Sequence, residues 1–215
     1  MTDNVGNQME GVIKYHCRWK DLQVISAEMI TGLVLIRNLL QTMGLIGVGS
    51  DGLGFGNVSQ RLKTPLSADS GLAGLSGFII TGTQTSGLLN PGPEAYCFVN
   101  EWSIAGNWVE CVGKVQASSE SLTHAAIYEL SPKIQSVIHV HSAPMWHSWA
   151  NEKTRTKASV EYGTPAMGNE IRRIIRTENL GESGVLCMGG HPDGIISWGT
   201  NADEATRQLL VLISL

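Results

Sequence analysis

The sequence predicts a mixed α/β fold built as one domain, and three observations carry that expectation. Stretches whose apolar residues recur every three or four positions alternate with short β-branched runs bounded by Gly, Pro, Asn and Ser. Hydrophobic residues make up 42% of the chain and charged ones 16%, which is a globular balance rather than a disordered one. A length of 215 residues buries one sizeable core and does not oblige a second.

The first residues, Met1 to about Asn7, are polar and read as frayed, and Gly11 to Trp19 reads either as a short strand or as an arm docking on a neighbour. From Asp21, the apolar residues Leu22, Ile25, Met29, Leu33, Ile36, Leu40 and Met43 follow a helical period that ends at Gly44. The glycine-dense stretch from Asp51 to Asn57 leads into Val58-Ser59-Gln60-Arg61. It is either a hairpin turn or bulge, or a loop that lets an anion approach the main chain. Phe78-Ile79-Ile80 reads as a buried strand delivering Thr81-Gly82-Thr83 at its tip. Ala95 to Val99 and Trp108 to Val112 read as antiparallel strands.

Ser118-Ser119-Glu120 opens a helix that runs through Leu122, Ala126, Ile127 and Leu130 until Pro132 stops it. Its start is either a plain N-cap or a phosphate site of serine hydroxyls and unpaired N–H groups. His124, one turn after Glu120, reads as a buried, hydrogen-bonded histidine. Beyond position 141, the Lys- and Arg-rich loop from Asn151 to Lys157 reads as a solvated edge, and Glu161-Tyr162-Gly163-Thr164-Pro165 as a turn exposing its tyrosine. A helix with Ile171, Ile174 and Ile175 inward carries Arg172, Arg173 and Arg176 as surface charge or subunit contacts. Val185 to Met188 and Ile195 to Trp198 are strands joined by a tight connection holding His191, and a helix from about Asp203 to Leu212 closes the chain.

Chemistry concentrates in Ser136-Val137-Ile138-His139-Val140-His141. Residues i and i+2 of a strand point to one face, so the two imidazoles converge. Neutral imidazole suits zinc, which takes about four ligands. Either the pair is half of a metal site, or these are two half-buried strand histidines.

Composition excludes several classes. The net charge of −4 and pI of about 5.8, without a dense Lys/Arg cluster, argue against nucleic acid. Cys17, Cys97, Cys111 and Cys187 are scattered and form no C-x-x-C pair, so they read as core thiols of a reducing compartment. The start lacks a secretory signal. The apolar region from Ile30 to Val48 is broken by Arg37, Asn38 and Gln41, which argues against a membrane span. The expected location is the cytoplasm.

Taken together and in order, Gly56-Asn57-Val58-Ser59, Thr81-Gly82, Ser118-Ser119-Glu120, His139-Val140-His141 and Gly190-His191 resemble the class II aldolase/adducin family, most closely its L-fuculose-1-phosphate aldolase branch. The resemblance runs from about Leu22 to Leu212. It divides the chain into an N-terminal arm, 1–20, and a single class II aldolase/adducin-like domain, 21–215, and it implies a three-layer α/β/α fold with a central antiparallel sheet flanked by helices. It further implies one Zn²⁺ per subunit, held by His139, His141 and His191 with Glu120 as fourth ligand in the empty enzyme. Glu120 then serves as acid/base. Asn57, Thr81, Gly82, Ser118 and Ser119 are implied to bind the substrate phosphate. Tyr162, near the family's position for a tyrosine given by a neighbouring subunit, is implied to protonate the leaving aldehyde oxygen.

The activity so implied is retro-aldol cleavage of a small phosphorylated ketose to dihydroxyacetone phosphate and an aldehyde, in a homotetramer with sites at subunit interfaces. Decarboxylase, dehydratase and epimerase chemistry on the same scaffold, and a non-catalytic adducin-like module, are the alternatives. A glutamate at 120 separates the chain from the sugar-phosphate 4-epimerase branch, which resembles an aspartate there. It also separates it from the methylthioribulose-phosphate dehydratase branch, whose acid/base follows the His-x-His. The interval between Thr81-Gly82 and Ser118-Ser119 is longer than in the fuculose enzyme, and its Trp102 and Trp108 have no counterpart there.

Overall fold

A computed structural model of the chain describes residues 11–62, 76–149 and 151–213. The fraying expected of Met1 to Asn7 lies outside these residues. The main sheet has eight strands: β1 (His16–Asp21), β4 (Asn57–Arg61), β5 (Phe78–Thr81), β6 (Tyr96–Ser103), β7 (Trp108–Gly113), β8 (Ser136–His141), β9 (Gly184–Cys187) and β10 (Gly194–Gly199). Their order is β1-β7-β6-β5-β4-β8-β10-β9, and every neighbouring pair is antiparallel except β1 with β7. Two short strands, β2 (Gly47–Val48) and β3 (Gly54–Phe55), form a separate hairpin.

Strand alternation divides the apolar residues between two cores. Phe78, Ile80, Cys97, Val99 and Val137 face helices α2 (Ser121–Tyr128) and α4 (Pro165–Thr177), meeting Leu122, Ala126, Met167 and Ile171. Ile79, Phe98, Val112, Ile138 and Val140 face the other way, toward α1 (Ala27–Thr42) and α5 (Ala202–Ile213), where Ile30, Leu33, Leu40 and Leu209 pack. A large central sheet flanked by helices is therefore the observed architecture. A short helix, α3 (Ala143–Ser148), is N-capped by Ser142, whose side chain accepts the Met145 N–H.

Two helix boundaries differ from the sequence reading. Residues from Asp21 do not start α1, because His16 to Asp21 pair with the outer edge of β7 in register from His16↔Trp108 to Asp21↔Gly113. The helix begins only at Ala27, leaving Leu22 and Met43 outside it and exposed. The expected arm thus contains most of the outermost strand. Similarly, Ser118 and Ser119 precede α2 rather than open it: the Ser118 hydroxyl accepts the Glu120 N–H and the Ser121 hydroxyl donates to the Ser118 carbonyl, forming a turn before the first helical residue. The unassigned tryptophans belong to the β6–β7 hairpin that receives β1. Trp102 stacks on Phe78 and donates to Glu129, while the Arg18 guanidinium covers Trp108.

Candidate metal centre and anion pocket

Strand β8 sits between β4 and β10, with His139 opposite Asn57 on one side and Ile196 on the other. His139 and His141 project from one face of it, and His191 enters from the β9–β10 connection. One ring nitrogen from each of the three lies within 4.8 Å of the others. His139 Nε2 and His141 Nε2 are 3.2 Å apart. His139 Nδ1 lies 3.1 Å from the Ile195 carbonyl oxygen; that bond places the proton on Nδ1 and leaves the Nε2 lone pair facing the cluster. Burial, followed by the neighbouring His191 and His141, holds His139 well below the ordinary histidine range, so it is neutral near pH 7.

Glu120, at the N-cap of α2, is 1% exposed and brings its Oε1 to 3.7 Å from His191 Nδ1. A buried carboxylate thus adjoins the histidine cluster without belonging to the set of three. His124 is fully buried on α2, with Nδ1 2.7 Å from the Ser59 hydroxyl, which in turn meets the Tyr128 hydroxyl at 2.8 Å. It is a hydrogen-bonded core histidine.

Next to this centre lies a narrow polar pocket. Asn57, Gly82, Ser118 and Ser119 line it, as the sequence reading grouped them, and the Asn57 side-chain oxygen is buried there without a hydrogen-bond partner. Thr81 does not line it, because its hydroxyl oxygen faces into the sheet and accepts the Val58 N–H. The glycine-dense loop takes its hairpin reading. Residues 47–55 form the β2–β3 hairpin, and Gly54 and Gly56 line the pocket. A roomier cavity of about 640 Å³ between α3, α5 and β9 has no titratable lining residue among the described residues and lies apart from this chemistry.

Comparison with known proteins identifies the family. Residues 45–215 match the family model described as the class II aldolase and adducin N-terminal domain. The chain belongs to the class II aldolase and adducin family. Among solved structures it is similar to a sugar-phosphate aldolase from Thermotoga maritima, with a TM-score of 0.63 and 15% identity over 86% of this chain and 90% of that one. It is also similar to YgbL from Klebsiella pneumoniae, a putative aldolase/epimerase/decarboxylase (TM-score 0.58, 17% identity, 87% and 86% coverage). A third is the L-fuculose-1-phosphate aldolase from Thermus thermophilus (TM-score 0.53, 19% identity, 87% and 88% coverage). At these identities the structures speak to the fold. No curated protein matches the chain.

Class II aldolases typically need a metal, and the donor set here fits one. Two nitrogens bound to one tetrahedral zinc at its usual bond length stand about 3.3 Å apart, close to the 3.2 Å between the two Nε2 atoms. The His139 imidazole, kept neutral by burial and with its outer nitrogen tied to a carbonyl, is in ligand form.

Two expectations around the family site change. Tyr162 is not exposed on its turn: it is 1% exposed, and its ring lies 4.4 Å, centroid to centroid, from that of its own chain's His191. The turn folds inward because Gly163 adopts φ +65°, and a Cβ at that position would meet the Ser119 carbonyl oxygen at 3.0 Å. The loop from Asn151 to Lys157 is only partly a solvated edge. Thr154 and Thr156 are buried, and the Thr156 hydroxyl accepts the N–H of Gly189, two residues before His191.

Several residues of the site escape sequence reading. Gln84 and Ser86 line the polar pocket beside Thr83, which the strand-tip reading names only as a tip residue, and the Phe55 ring meets that of His141 at 5.3 Å. Adjacency to Thr81-Gly82 is a usable signal for Thr83. For Gly11 and Lys14, which reach the site from before β1, composition and spacing offer none.

Proposed function

We propose that the protein is a metal-dependent aldolase that cleaves a small phosphorylated ketose, similar to L-fuculose 1-phosphate, into dihydroxyacetone phosphate and an aldehyde. The observation that carries this reading is the convergence of His139, His141 and His191 with Glu120 beside them, next to a small polar pocket lined by Asn57, Gly82, Ser118 and Ser119. The three histidines would hold Zn²⁺, with Glu120 as fourth ligand before substrate binds. When bound, the metal supplies Lewis-acid stabilisation of the negative charge that carbon–carbon cleavage leaves on the ketose oxygens.

The chain's own groups do the rest. Asn57, Gly82, Ser118 and Ser119 anchor the phosphate, with Thr81 fixing the strand end behind them. Glu120 moves the proton on the carbon that becomes C3 of dihydroxyacetone phosphate, a positioned acid–base role of the kind that contributes roughly 10²–10⁴-fold. Tyr162, seated on His191 within the same chain, takes the proton from the C4 hydroxyl as the C3–C4 bond breaks, and in the reverse, condensing direction returns it to the aldehyde oxygen. Burial of His139 and Glu120 keeps water from competing with these transfers.

The proposed setting is a cytoplasmic homotetramer. All four cysteines are free, which suits a reducing compartment, and Leu35, Leu39, Leu88 and Leu89 expose apolar surface.

The deciding experiment incubates zinc-loaded protein with dihydroxyacetone phosphate in D₂O and follows loss of one C3 proton signal by NMR. Exchange that disappears in Glu120→Gln supports the aldolase. Its absence from fully loaded protein refutes the reading and favours a decarboxylase or dehydratase on the same residues.

A further inference from the structure

The segment before β1 reaches both halves of the site. Gly11 lines the anion pocket, and the Thr83 hydroxyl donates to its carbonyl at 3.4 Å. The Tyr15 hydroxyl, on a 5% exposed side chain, lies 2.9 Å from the Ser118 carbonyl oxygen and 3.0 Å from that of Ala117. Between them stands Lys14. Its backbone is fixed to the β6–β7 hairpin, where the Asn107 side-chain amide donates to the Lys14 carbonyl and the His16 N–H donates to the Asn107 carbonyl.

The Lys14 side chain is about four-fifths buried, and the partners of its ammonium fall on one dipeptide. Nζ lies 2.8 Å from Glu161 Oε1, 3.3 Å from the Tyr162 carbonyl oxygen and 3.2 Å from the centre of the Tyr162 ring. An ammonium carries three donors and no acceptor. Here one faces a carboxylate, one a carbonyl and one the negative face of an aromatic ring, which is how a cation can hold a ring in one orientation as well as one place. The same Tyr162 ring meets the His191 imidazole at 4.4 Å with the planes 30° apart.

We propose that Lys14 is a positioning residue that holds Tyr162 against His191, so that one wall of the metal centre is assembled by the segment preceding the sheet. Lys14 touches neither the histidines nor the pocket; it acts through Tyr162. The inference deepens the proposed function and rests on it for the meaning of Tyr162, but the contact it predicts requires neither metal nor substrate.

The test uses protein labelled in its tyrosine and histidine rings. The sequence has four tyrosines, Tyr15, Tyr96, Tyr128 and Tyr162, so the Tyr162 signal is assignable from Tyr162→Phe. The reading is the nuclear Overhauser cross-peak between the Tyr162 ring and the His191 ring. The cross-peak is expected to vanish in Lys14→Met and to return in Lys14→Arg, whose planar cation can still stack and pair, while the Tyr96 and Tyr128 signals stay in place. A cross-peak of undiminished strength in Lys14→Met overturns the proposal. Should the Tyr96 and Tyr128 signals move in that variant, showing a disturbed fold, Glu161→Gln decides instead: weakening of the cross-peak supports the clamp and full strength overturns it. Deuterium exchange into dihydroxyacetone phosphate by the unaltered protein judges the catalytic reading separately.

Discussion

His191 occupies the tightest chemical position in the molecule, in contact with His139, His141, Tyr162 and Glu120 while wholly buried. Its replacement by Ala is expected to abolish stoichiometric zinc after dialysis, measured by metal analysis. Glu120→Gln should retain zinc and lose proton exchange by about 10²–10⁴-fold. A second histidine sets the acid response of the fold. Burial pushes His124 down to about 3, against an ordinary value of 6.5. The unfolded chain takes up this proton as pH falls through 6.5 and the folded chain only near 3, so folding loses stability across that window and keeps it above. The loss amounts to on the order of 5 kcal/mol when complete. His124→Asn is expected to flatten this part of the stability curve, read by urea denaturation at several pH values. His-x-His was legible as a metal half-site because strand period alone makes two side chains converge. The inward turn of Tyr162 was not, because it depends on Lys14 and Ser119, distant in sequence, closing around Gly163.

At the scale of elements, the β9–β10 connection carries His191 only because glycines let it pass under the loop from 151 to 160. A Cβ on Gly190 would stand 1.8 Å from the Val160 carbonyl oxygen, a backbone atom that cannot swing aside. Gly190→Ala is expected to cost about 3 kcal/mol or more by chemical denaturation and to weaken zinc binding with it, since the turn must move with its histidine. Helix α1 shows where element boundaries elude pattern reading. Leu22 and Met43 extend the apolar repeat beyond the helix at both ends, yet the free edge of β7 draws residues 16–21 into a ladder and Gly44, at φ +72°, ends the other side. Tertiary pairing overrides the local period there. Leu33, fully enclosed by contrast, should cost about 2–5 kcal/mol on replacement by Ala.

For the whole molecule, the family and the α/β architecture were readable because five short motifs keep their order along the chain. Of the two readings of Gly11 to Trp19, the strand is the one seen, as β1; that it joins the sheet as its parallel edge is a non-local pairing that no period within residues 16–21 reveals. Exposed Leu35 and Leu39 on α1, with Leu88 and Leu89 tied beside it through Gln41 and Asn38, form the apolar surface most suited to subunit contact. If the proposed tetramer forms through this surface, Leu39→Glu combined with Leu89→Glu is expected to lower the mass seen by light scattering to smaller species, leaving the helical content unchanged. One consequence of the sheet concerns substrate length. Asn57 and His139 are direct partners across the β4–β8 ladder, and strands in a ladder stand about 4.8 Å apart whatever the side chains do. The polar pocket and the three-histidine cluster are therefore separated by a fixed rung, and the sheet itself acts as a ruler: under the proposed function, molecules whose anionic end and metal-binding oxygens are spaced by one short carbon chain are expected to span it, and longer or shorter ones to meet only one end.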